Sequence, residues 1–146
     1  GRRGRRAVTV CQAGGVNEFD GPPCPCGSGA GYRACCGPLH LGESQAHSAE
    51  ALMRSRYSAF AYADADYLFR TWHPRTRPPD VTVDPAITWT GLQVIDTVAG
   101  RPADDTGEVE FTAHFRSRGR AGLLHERSRF QRRAGRWFYV GAAEDP

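Results

Sequence analysis

No apolar run in this sequence approaches the roughly 20 residues that a membrane-spanning helix needs, so the chain is expected to be soluble and to have no membrane partner. A nucleophile elbow, a phosphate-cradling glycine loop and a dinucleotide-binding fingerprint are also missing. Their absence removes the most legible routes to hydrolase, nucleotide-dependent and dehydrogenase chemistry. No internal repeat is present, which excludes a solenoid or propeller. Strong net charge is lacking too. The formal charge of +3 is outweighed by Arg2, Arg3, Arg5 and Arg6 alone, which leaves the rest of the chain near neutral. A near-neutral body does not announce a nucleic-acid-binding domain, and nucleic acid is not the expected partner.

What is there is ordinary in bulk: 146 residues, 40% apolar and 24% charged. That suits one globular domain with a small appendage. Residues 1–21 mix Arg, Gly and isolated polar groups without periodicity and read as a flexible basic tail. The arginine pairs before Ala7 to Val10 loosely resemble an export signal, but the apolar stretch stops at Gln12 and Gly14. Without export the compartment is reducing, the cytoplasm, where close cysteines are read as metal ligands before disulfides. Cys11 has no partner at metal spacing and reads as a spare thiol.

Residues 22–42, PPCPCGSGAGYRACCGPLHLG, are too rich in Pro, Cys and Gly to build a core. Such a segment needs a cross-link or a metal to hold it. Cys24, Cys26, Cys35 and Cys36 form two pairs separated by eight residues, and the glycines between allow the loop that returns one pair to the other. Four thiolates close a tetrahedron and leave no position for water, which points to a structural zinc site, with iron the second choice. Crossed disulfides and unliganded thiols stay open as alternatives. Arg33 and the glycine-loop N–H groups are candidates to offset the thiolate charge. His40 reads either as a substitute ligand, as a support behind the ligands, or as an ordinary exposed loop histidine.

From Ser48, a plausible N-cap, the pattern turns helical: Ala49, Leu52, Met53, Tyr57, Phe60 and Ala61 share a face. A second helical stretch covers residues 64–72, and Pro74, Pro78 and Pro79 end it. Strands follow at 87–98, 108–117, 121–132 and 137–140, joined by turns at 100–107, 118–120 and 134–135. Helices first and then an antiparallel meander means α+β.

The string CPCGSGAGYRACC resembles the SEC-C motif, known from the C-terminus of the SecA translocation ATPase, where the knuckle serves a protein partner. The strings ALMRSRYSAFAYADADYLFRTWHP and HERSRFQRRAGRWFYVGA resemble the YchJ family, so the match covers about residues 22–142. The resemblance implies a zinc knuckle over residues 22–42, followed over 43–146 by a cone-shaped domain like that of nuclear transport factor two, helices packed on a curved antiparallel sheet. It brings no reaction with it. A protein partner for the knuckle is carried by analogy of module alone.

Folds of this shape often hold a pocket between sheet and helices. Its candidate residues here are Arg56, Asp66, Trp72, His73 and Glu126. Asp66, Trp72 and His73 fall where the second helix ends, Glu126 shares strand parity with Leu124 and Phe130, and Arg56 is its candidate counter-ion. The expected function is an interaction or ligand-binding module, with a protein partner on the knuckle and a small ligand in the cone. The alternatives are an enzyme using His73 with Glu126, and RNA or ribosome association through Arg127, Arg129, Arg132, Arg133 and Arg136.

Overall fold

The computed structural model describes residues 18–143; Cys11 and residues 1–17 of the expected basic tail lie outside them, while the end of that segment forms a 3-10 turn at Glu18–Asp20. The cysteine-rich segment does form a helix, α1 (Gly37–Leu41), with proline in its first turn and left-handed Gly42 closing it. The longer α2 (Ala49–Ala61) starts where Ser48 accepts a hydrogen bond from Ala51 N at 3.0 Å. That cap satisfies one of the orphan N–H groups of the first turn. Ser48→Ala is expected to lower stability by about 1 kcal/mol, read as a shift in the urea midpoint.

Asp64 caps α3 (Ala65–Arg70) in the same way, accepting from Tyr67 N at 3.0 Å. This helix is shorter than the pattern predicts. Residues 71–73 leave it to run along the sheet edge: Tyr139 N donates to Thr71 O at 2.9 Å, and His73 N donates to Tyr139 O at 2.8 Å. Thr71 N and Trp72 N still close the helix on Tyr67 O and Phe69 O, while Thr71 O and His73 N pair with the sheet because Pro74 forbids another helical turn.

Four strands form one antiparallel meander in chain order: β1 (Ile87–Ala99), β2 (Thr106–Ser117), β3 (Arg120–Arg133) and β4 (Arg136–Ala142). The pairs Val109–Ser128, Phe111–Glu126 and Ala113–Leu124 set one face of β2 and β3, and directly opposite residues share a face. Glu126 therefore stands on the inner side, as its parity predicts. Irregular pairing interrupts β1 between Trp89 and Gly91 and between Val94 and Asp96, and β3 against β4 between Arg129 and Phe130. Bulges of this kind bend strands and increase twist, which curls the sheet around α2.

Burial follows. Ala49, Leu52, Met53 and Ala59 of α2 meet Leu68, Val109, Phe130 and Trp137 in one core, with Leu39 of α1 at its end. The β1–β2 turn is pinned against the start of α2, where Ala49 N donates to Gly100 O at 2.9 Å. A Cβ on Gly100 would sit 2.7 Å from that of Ala49, so the helix can approach this closely only over a glycine.

Candidate functional site

A miniature hairpin gathers the cysteines. Cys24 N donates to Ala30 O at 2.9 Å, Tyr32 N to Pro22 O at 2.8 Å, and Gly27 N to Cys24 O at 3.1 Å. The next turn, a short 3-10 segment at Tyr32–Ala34, brings Cys35 and Cys36 back beneath the first pair. All four sulfurs lie within 4.8 Å of one another and all four residues are buried. Sγ of Cys35 is 3.5 Å from that of Cys26 and 3.9 Å from that of Cys36. A tetrahedron with Zn–S bonds of about 2.3 Å has edges of about 3.8 Å, so the donor set and its spacing fit a divalent ion held by thiolates.

The electrostatics point the same way. Cys26 and Cys36 are held up by hydrogen bonding to Cys24 and by burial. Cys24 is pushed down to about 2, chiefly by accepting from Cys26 and then Cys36. Such a nest favours one thiolate, at Cys24; a cation is needed before Cys26 and Cys36 ionise beside it.

The knuckle is fastened to the cone rather than tethered to it. Ser58 of α2, fully buried, donates to Cys36 Sγ at 3.4 Å and lies 3.5 Å from Cys24 Sγ. Arg54, one turn earlier, donates to Cys26 O at 2.8 Å. His40 is neither a ligand nor an exposed loop residue: it is 9% exposed. Its Nε2 donates to Ser55 O at 2.8 Å, and that fixes Nδ1 as the acceptor for the Tyr32 hydroxyl at 2.6 Å. Burial pushes the imidazole down, which keeps it neutral in this role. Arg33 lies beside Gly21; Arg54 is the arginine that reaches the knuckle backbone.

The second site is a cavity of about 210 Å³ between α2 and the inner sheet face, walled by Tyr57, Phe60, Trp72, Trp89 and Phe111. Arg56, Trp72 and Glu126 meet there. Asp66 does not: it pairs with Arg70 at 2.6 Å, with its side chain 82% exposed. His73 does not either. Successive side chains of an extended segment point opposite ways, so His73, although buried, turns away from the cavity, packs on Phe138 at 5.9 Å, and accepts from Arg75 N at 3.0 Å.

Nor do Arg56 and Glu126 form an ion pair. Glu126 Oε2 accepts from the Ser128 hydroxyl at 2.6 Å and the Tyr139 hydroxyl at 2.8 Å. Arg56 Nη1 donates to Leu68 O at 2.9 Å and Thr71 Oγ1 at 2.7 Å, while the guanidinium carbon sits 5.2 Å from the Trp72 ring centroid and 4.5 Å from that of Tyr139. On the outer sheet face, Arg127 is surrounded by Asp96, Glu108 and Glu110 at 2.7, 3.0 and 3.0 Å. The arginine stripe is thus broken by its own counter-ions. Sequence reasoning missed Ser58 and Tyr139, and it put Ser128 in step with Leu124 and Phe130 without giving it a role. Their signal was a polar atom at core parity: Ser58 three residues after Ser55 on a helix, Ser128 and Tyr139 in step with Phe130 and Trp137.

Residues 48–142 match the family described as YchJ, middle NTF2-like domain, and residues 23–38 match the SEC-C motif. The chain belongs to the YchJ family. Among this family's proteins, a UPF0225 protein of Streptomyces coelicolor is 54% identical over 119 residues, covering 82% of this chain and 93% of the relative. One of Deinococcus radiodurans is 50% identical over 123 residues, covering 84% and 89%. The solution structure of a SEC-C motif containing protein from Rhodopseudomonas palustris superposes with a TM-score of 0.73 at 36% identity, over 84% of this chain and 98% of that one. A crystal structure of a SEC-C motif containing protein from Psychrobacter arcticus, 23% identical, shares the fold with a TM-score of 0.66, over 96% and 86%.

The YchJ-family fold accounts for the curved sheet behind the cavity, and the SEC-C match coincides with the convergent sulfurs. No described helix is long and apolar enough to cross a membrane.

Proposed function

We propose that this chain is a zinc-stabilised, non-catalytic binding protein of the cytoplasm, with a knuckle over residues 22–42, a cone over 43–146 and a tail over 1–21. Cys24, Cys26, Cys35 and Cys36 hold the metal as thiolates, and its contribution is a cross-link rather than a reaction. The observation that carries this reading is the burial of four sulfurs within 4.8 Å of one another. A closed sulfur tetrahedron offers a substrate no coordination position. Zinc, which is redox-inert, suits that role better than iron. With the metal structural, small-molecule binding falls to the cone cavity. The SEC-C motif supports a protein partner on the knuckle flank, where Leu41 is 74% exposed.

The enzyme alternative needs His73 beside Glu126, and the absence of His73 from the cavity lining that holds Glu126 speaks against it. The RNA alternative needs free arginines, and the acidic ring around Arg127 weakens it. Elemental analysis of protein purified from its own cells is the test. One zinc per chain, released together with four titratable thiols by a mercurial reagent, is the expected result. Stoichiometric iron would replace the metal but keep the site. Metal-free protein with these cysteines oxidised to one another would end the proposal.

A further inference from the structure

Arg56 is 6% exposed, lines the cavity, and has only Nη1 engaged by protein acceptors among the described residues. Its Nε and Nη2 donate to none, and no described carboxylate comes within 4.0 Å of its guanidinium. A buried cation is costly unless it is paired and hydrogen-bonded. The aromatic faces of Trp72 and Tyr139 offset part of that cost, but rings accept no directional hydrogen bonds from the two unspent nitrogens. Nε1 of the neighbouring Trp72 is fully enclosed without an acceptor, whereas Nε and Nη2 of Arg56 keep accessible surface. Arg56 therefore brings unpaired, accessible donors to the cavity. Glu126 shares the lining, and its Oε2 draws two hydroxyl donors; its Oε1 accepts from no described group, but neither oxygen comes within 4.0 Å of Arg56, whose free edge it leaves unpaired. The unmet demand is for an acceptor, and for one that carries charge.

The volume limits the rest of the molecule. A cavity of roughly 150 Å³ holds benzene, so about 210 Å³ admits one ring with a short substituent. The aromatic walls suit a flat apolar body.

We propose that the cone cavity binds a small aromatic carboxylate, with its ring between Phe60, Trp89 and Phe111 and its carboxylate on the free edge of the Arg56 guanidinium. This rests on the reading of the cavity as the ligand site, and it adds the chemical class. Fork-shaped guanidinium–carboxylate pairing is strong in a desolvated pocket. It supplies the acceptor that the protein withholds.

Four probes of near-equal size separate the class from the site: phenylacetate, phenylacetamide, phenethylamine and ethylbenzene, titrated into the metal-loaded full chain. Binding is read by tryptophan fluorescence, since Trp72 and Trp89 are in the wall, and by calorimetry. Phenylacetate is expected to bind tightest, with Arg56→Met weakening it roughly ten- to a hundredfold, the span for a charged hydrogen bond, and leaving ethylbenzene little changed. Glu126→Gln removes a like charge and is expected to tighten phenylacetate several-fold without affecting phenylacetamide. This second variant keeps the test alive should Arg56→Met fail to fold. Tighter binding of phenethylamine or ethylbenzene, or weaker phenylacetate binding to a folded Glu126→Gln, overturns the carboxylate class and leaves the cavity as the ligand site. Failure of all four probes to bind overturns both.

Discussion

Cys26→Ser is expected to abolish tight metal binding and to unfold the knuckle, because metal coordination contributes on the order of 10 kcal/mol to such segments. Little else in that segment can replace it. Residues 22–36 form a hairpin and one 3-10 turn around sulfur, and among the described residues their buried cluster is Cys24, Cys26, Cys35 and Cys36, with Ala30, Tyr32 and Leu92 against it. A serine hydroxyl does not ionise at neutral pH and is a poor ligand for a soft-tolerant cation. The remaining three sulfurs would hold the ion with an open position. Hydrogen exchange is the discriminating measurement. Amides of Cys24, Gly27 and Tyr32, which close the hairpin, should lose protection, while those paired in β2 and β3 keep most of theirs. The main core of α2 and the sheet is a separate cluster, so the cone should persist with a lowered melting temperature. Retention of one tightly held metal and of protected knuckle amides in Cys26→Ser would show that these sulfurs do not act as a set.

The metal quartet was legible in the sequence because its ligands are local. Four cysteines within thirteen consecutive residues, with glycines between them, leave the chain few ways to place them apart. The sheet was legible for a related reason. Arg118-Gly119 and Ala134-Gly135 both adopt left-handed backbone, and two such residues make the hairpin turns that match strand twist. Long-range geometry was harder to read. The irregularities in β1 shift its inner face from Trp89 to Leu92 and Val94, and no periodicity scan follows a face across a shift. His40 looked exposed because its neighbours are loop residues; the groups that bury it, Tyr32 and Ser55, come from other elements. The expected group of Asp66, Trp72 and His73 failed on local geometry. Sequence neighbours cluster on a helix face only at spacings of three or four, and at Trp72 the chain has already become extended.

These departures share a consequence for the site. The cone does not bring His73 beside Glu126, the pair that the enzyme alternative named. It offers an aromatic chamber with one buried cation, while the knuckle packs against the far side of the same helix. In α2, Arg56 faces the cavity, and Ser58, two residues on, faces the sulfurs. One helix thus separates the four sulfurs from the chamber and packs against both.

Ser58→Leu tests that arrangement. Ser58 has no exposed surface, and its hydroxyl stands 3.4 and 3.5 Å from two of the sulfurs. A leucine there adds volume in a close-packed seam, which typically costs about 1–3 kcal/mol. It also removes a hydroxyl that supports the ligands, a change worth roughly 10–100-fold in metal affinity. The two effects add because swollen packing pushes the knuckle off the helix while the lost donor weakens the ion's hold. The variant should therefore surrender its metal to a mild chelator far faster than the parent protein, and melt earlier even with metal in excess. Ser58→Ala isolates the hydroxyl: faster metal release, with a much smaller drop in melting temperature. Equal chelation rates for both variants and the parent protein would mean that the hydroxyl does not support the metal and that the knuckle stands independently of α2.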